Sequence, residues 1–158
     1  MTDNYIGIMI ESLRRKKDVL TDILKLSEEQ SLLLDDPNLE PDTFEKNVNR
    51  KAALIEKLEQ LDTGFESLYD KVKEELESNR DIHKEQIRQM QELIRALTEL
   101  NMQIRATEAR NKEKATAKFA YIRQQAKEIR SSQKIVKEYY NNMMHKAYNE
   151  PHFLDNKK

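Results

Sequence analysis

The residue types that do chemistry in proteins are scarce in this chain and wrongly spaced for it. A di-metal centre in a helical bundle needs Glu-x-x-His pairs on facing helices, yet the residues three before His83, His145 and His152 are Arg80, Asn142 and Asn149. A zinc-protease His-Glu-x-x-His is also missing. With no cysteine there is no thiolate ligand, no Cys nucleophile and no disulfide framework. Gly7 and Gly64 stand alone, so no glycine-rich loop cradles phosphate. The three histidines are therefore expected as surface side chains. No cofactor, no metal and no enzymatic activity are expected.

Recognition is the remaining chemistry. The run YYNNMMHKAY, Tyr139 to Tyr148, combines adaptable thioethers with tyrosines that offer contact area at little entropic cost. It can be a dimer or bundle seam, or a docking face. It closes a stripe at helical spacing formed by Phe119, Ile122, Ala126, Ile129, Val136, Tyr140 and Met143, with Ile135, Tyr139 and Met144 beside it. Arg14 to Lys17 reads as a solvated face, because Glu11, Asp18 and Asp22 stand within helical pairing distance. The 28 Lys and Arg nearly cancel the 29 Asp and Glu, which leaves no basic field to collect nucleic-acid phosphates.

The elements that must position these residues are long helices. From Asp42 to Glu150 there is no proline, and after Gly64 no glycine, while apolar residues recur every three or four positions. Charged residues make up 36% of the chain, against ~25% for an ordinary soluble domain, so the core is a narrow seam. The first helix starts near Thr2 to Asn4 and carries Ile6, Met9, Ile10, Leu13, Leu20, Ile23, Leu24, Leu33 and Leu34. Pro37 and Pro41 end it in a connector. Asp42 with Glu45 has the form of a capping box for the second helix, which follows Phe44, Val48, Ile55, Leu58, Leu61, Phe65, Leu68, Val72 and Leu76. Gly64 within it reads as a close helix approach or a hinge. Glu77 to Asp81 carries no apolar residue and three side chains that compete for backbone hydrogen bonds, which points to a turn there, with a continuous helix through it as the alternative.

The third helix is expected to run from about Ile82 to about Ala147, roughly 100 Å at ~1.5 Å per residue, and so to overhang its neighbours. Arg105 to Lys118 lacks large apolar residues and reads as a solvated helix or joint. The expected fold is all-α: an elongated antiparallel bundle of three long helices in a single domain. Its bundle spans about 3–104, with Leu20, Ile55, Leu58, Leu97 and Leu100 in the core, and a C-terminal amphipathic binding segment spans about 119–147. No run approaches the ~18 apolar residues of a membrane span, and the N-terminus lacks the pattern of a signal peptide, so a cytoplasmic location is expected.

NRKAALIEKLEQLD from Asn49 to Asp62, LSEEQ at Leu26 to Gln30, ARNK at Ala109 to Lys112 and the terminal YY followed by FLDNKK resemble the FlgN-type flagellar export chaperones, particularly their clostridial form. Lys51, Leu54, Ile55, Leu58 and Leu61 carry the strongest part of the likeness. The resemblance implies a non-enzymatic cytosolic chaperone of the flagellar type III export system. Such a protein holds hook-associated (hook-filament junction) proteins unassembled and delivers them to the export gate or ATPase complex. It further implies that the C-terminal helical part binds the client's amphipathic C-terminal segment, and the helical spacing of the stripe beyond the reach of the first two helices makes Phe119, Ile122, Ile129, Val136, Tyr140 and Met143 the expected client face. A tyrosine docking to the gate is matched by Tyr139 or Tyr140, with Tyr148 behind them.

The competing reading is a structural coiled-coil scaffold or spacer that dimerises through the same C-terminal stripe. A scaffold is expected to be a tight dimer in isolation, a chaperone a monomer or weak homo-oligomer.

Overall fold

A computed structural model describes residues 2–125 and 130–148, and among them the chain is helical with no strand. The helices are α1 (Thr2–Asp35), α2 (Pro41–Ser78), α3 (Lys84–Gln125) and α4 (Arg130–Tyr148). The expected single helix from Ile82 to Ala147 is thus two elements.

Cross-helix contacts fix the directions. Tyr5 meets Lys71, Lys16 meets Asp62 and Leu26 meets Asn47, so α2 runs antiparallel to α1. Ser27 meets Glu108, Ser31 meets Lys114 and Leu34 meets Lys118, so α3 runs parallel to α1. The helix α4 then returns along α3, with Tyr140 reaching Gln30 of α1. The expected overhang is replaced by a fourth helix folded back onto the bundle.

The core follows the apolar spacing. Leu20, Ile55 and Leu97 are buried as expected, while Leu58 and Leu100 are only partly buried and pack against the core from its margin. Burial of each such aliphatic side chain is worth roughly 1.5–3 kcal/mol, which makes this seam the main favourable contribution to the fold.

Several local expectations change. Glu40, not Asp42, is the N-cap of α2, and it makes no side-chain cap bond. Pro41 is the reason: at the first helical position its missing N–H is no loss and its fixed φ suits the helix, so α2 begins two residues earlier. Asp42 still sits favourably at the positive end of the helix dipole. The connector before it is an Asx turn, in which the Asn38 amide donates to Asp36 Oδ1 at 2.9 Å. At the α2–α3 turn the Asn79 amide closes α2 on the Glu75 carbonyl at 2.9 Å.

His83 is buried rather than on the surface. Its Nε2 lies 3.3 Å from Glu75, which ties the turn to the end of α2, and its Nδ1 lies 3.8 Å from Asp3 at the start of α1. The side chain of His145, and His152, lie outside the described residues. Lys16 also leaves the predicted solvated face and pairs with Asp62 at 2.7 Å. Burial pushes the Asp62 carboxyl above the usual carboxylate range, and Lys16 opposes that. Gly64 is neither a close approach nor a hinge, since α2 runs through it and a Cβ there would touch nothing within 4 Å.

Candidate functional site

The segment expected to be a solvated joint is instead the most polar part of the interior. Thr107, Glu108, Asn111 and Ala115 are buried within Arg105–Lys118. Glu108 accepts hydrogen bonds from Ser27 and from Lys51, with which it forms an ion pair. Lys51 Nζ also donates to Gln30 Oε1 at 3.1 Å, and Asn111 Nδ2 donates to the Ser27 carbonyl at 2.8 Å and to Gln30 Oε1 at 3.2 Å. Asn47 anchors the α2 side of this layer on the Leu26 carbonyl at 2.9 Å.

Sequence reasoning missed this layer, although its phase was visible. Ser27 and Gln30 continue the stripe between Ile23 and Leu34, Lys51 falls between Val48 and Ile55, and Glu108 and Asn111 fall between Ile104 and Ala115. The spacing is that of core positions; only the residue types differ.

The layer resembles a nucleophile with a base, because Ser27 Oγ lies 3.5 Å from Lys51 Nζ. Both residues are 0% exposed, so no substrate reaches the hydroxyl. Burial pulls Lys51 below the usual ammonium range, and Glu108 opposes that. Among the described residues no group of three or more His, Asp or Glu could hold a metal ion.

Helix α4 closes the layer. The Tyr140 hydroxyl donates to Gln30 Oε1 at 2.6 Å, and the Tyr139 ring lies 5.2 Å from Lys51 Nζ in a cation–π contact. Tyr139 donates to Met143 Sδ at 2.9 Å, and the two tyrosine rings meet edge to face at 5.4 Å. Burial pushes both phenols well above their usual range, and the nearby Glu108 charge adds to the shift. Gln30 Nε2, Asn47 Oδ1, Glu108 Oε2 and Asn111 Oδ1 are buried with no hydrogen-bond partner among the described residues.

Of the residues expected to form a binding face, Phe119, Val136, Tyr139, Tyr140 and Met143 are buried against the protein's own helices, and Ile122 is partly buried there. Phe119 packs edge-on against Phe44 at 5.7 Å. Ile129 lies outside the described residues, as do the side chains of Met144 and Tyr148. The face does not stand free in this conformation. Phe119, Val136 and Tyr140 do come together, flooring a groove of about 510 Å³ between α3 and α4.

A family model described as FlgN protein matches residues 1–145. The chain belongs to the FlgN family. This is a family of flagellar export chaperones, not of enzymes, and its members bind hook-associated proteins. The match extends through α4 as far as His145, and so takes in both the polar layer and the tyrosines that cover it. No curated protein and no solved structure matches the chain. No described helix of this FlgN family member is long and apolar enough to cross a membrane.

Proposed function

We propose that this FlgN family member is a cytoplasmic chaperone that binds hook-associated (hook-filament junction) proteins, keeps them from assembling early and delivers them to the flagellar export gate or its ATPase complex. Its client face is the stripe Phe119, Ile122, Ile129, Val136, Tyr140 and Met143, within the segment 119–147. Tyr139 or Tyr140 serves gate docking.

The observation that supports this reading is the kind of surface on which α4 rests. An amphipathic helix seated on an apolar seam is held by its whole face, but α4 covers a layer that holds the buried Lys51–Glu108 ion pair. Keeping charged groups out of water costs free energy that hydration returns when the cover lifts, which weakens the closed arrangement relative to an open one. A client's amphipathic helix can then engage the apolar side chains of α3 and α4 as α4 shifts, and client and chaperone hide their sticky faces together without ATP. A scaffold that dimerises through the same stripe would have to break the same contacts in every molecule.

The test is capture of the hook-associated proteins of the same bacterium by the full chain, with wild type compared with Val136→Asp and Val136→Ala. A carboxylate desolvated at the contact is expected to abolish the complex, and the smaller change to weaken it. Normal client binding by both variants would place the client face elsewhere. A tight dimer of the isolated protein at every concentration would favour the scaffold. Replacing Tyr139 and Tyr140 is expected to lower export in cells more than it lowers client binding.

A further inference from the structure

The groove between α3 and α4 has a charge character that its apolar floor conceals. Lys112 and Arg123 on α3 and Lys134 and Lys137 on α4 line it, and among the described residues no Asp or Glu does. All four cations are exposed, and none makes an ion pair among the described residues. Glu113 and Glu138 lie on the same helices but do not line the groove. The chain as a whole carries a formal charge of −1, so this is a local concentration of positive charge and not a property of the surface at large.

We infer that the groove selects an acidic amphipathic helix: one whose apolar stripe meets Phe119 and Val136 while carboxylates on both its flanks meet the four rim cations. This rests on the client-binding reading above and adds the chemistry of the client to it. Three features favour a helix over other anions. Lys112 and Arg123 are separated by about three helical turns, roughly 16 Å at ~1.5 Å per residue, which a single phosphate or carboxylate cannot span. The walls are two antiparallel helices, and the groove between such a pair is where the ridge of a third helix packs. A small-molecule site needs fixed polar groups that converge, whereas the Tyr140 hydroxyl on the floor is committed to Gln30. An anionic membrane surface would supply the charge, but a flat bilayer does not reach a recessed apolar floor.

Charge-reversal variants of the full chain, Lys134→Glu with Lys137→Glu and, separately, Lys112→Glu with Arg123→Glu, test the inference. Because the four positions are exposed, melting temperature and helicity should be unchanged. The probes are the hook-associated proteins of the same bacterium, the same proteins with the carboxylates of their C-terminal helix changed to Lys, and phosphatidylglycerol vesicles. Wild-type affinity is expected to fall steeply with added salt. Each reversal should weaken it by about ten-fold or more and flatten the salt dependence, and the Lys-bearing client should recover binding to the reversed chaperone. Unchanged binding by both reversals, with loss on Val136→Asp, would leave the client face in place and overturn the acidic partner. Normal binding by the reversals and by Val136→Asp alike would remove the client-binding reading itself, and this inference with it. Reversals that lose vesicle binding but keep the client would assign the cations to a membrane surface and overturn the inference.

Discussion

Lys51 concentrates the energetics of the interior in one side chain. It is 0% exposed, pairs with Glu108, reaches Gln30 and lies over the Tyr139 ring. Taking an ammonium and a carboxylate out of water costs several kcal/mol per ion, and their attraction returns that only while both are present. Lys51→Met should therefore destabilise the fold by about 3–5 kcal/mol, since it strands the Glu108 charge, while Lys51→Met with Glu108→Leu should be close to neutral or stabilising. Urea denaturation of wild type, both single variants and the double variant checks this. Additive losses would mean that the two charges do not depend on each other. The pair's value then lies in register: a polar layer tolerates one alignment of α1, α2 and α3, whereas an all-apolar seam tolerates several.

At the scale of the element, α2 and α4 differ in how they are held. Helix α2 is continuous from Pro41 to Ser78, and its Gly64 is exposed, with open space where a Cβ would stand. Gly64→Ala should stabilise the protein by about 0.4–1 kcal/mol, mainly by narrowing the unfolded ensemble, and a raised thermal midpoint checks it. A lowered midpoint would mean that Gly64 has a packing role.

Helix α4 depends on neutral phenols. Burial raises the pKa of Tyr139 and Tyr140 above the ordinary value near 10. Below ~10 both docked and released tyrosines are neutral, and docking keeps its full stability. Above ~10 the released phenols ionise and the docked ones do not, so docking is lost as pH rises. Phenolate absorbance of the full chain should therefore show a late component that Tyr139→Phe with Tyr140→Phe removes. Loss of only early-titrating signal in that variant would show both hydroxyls in water.

Across the whole molecule, α1 runs between two partners: it is antiparallel to α2 and parallel to α3. The parallel pairing is possible because α2 carries the chain back to the level where α1 began, and there the buried His83 bonds Glu75 and lies beside Asp3. Helix α3, 42 residues long and roughly 60 Å at ~1.5 Å per residue, exceeds the 34 residues of α1 by a little over two turns. Its far end presents Phe119 and the groove wall, and α4 folds back over it. The molecule thus keeps its proposed client face within its own bundle and holds the cationic groove rim in solvent.

The sequence by itself determined the all-helical fold, the proline connector between the first two helices, the buried positions Leu20, Ile55 and Leu97, and the family, because each follows from local spacing, from proline or from a continuous likeness along the chain. Only the tertiary structure decided the fate of Arg105–Lys118 and of the tyrosines. A Glu or Lys in phase with an apolar stripe is read as surface unless its partner is known. Here Lys51 and Glu108 stand 57 positions apart, and Gln30 and Tyr140 stand 110 apart. Burial of a charge depends on what faces it, and what faced these charges was set by how three helices aligned and where a fourth turned back.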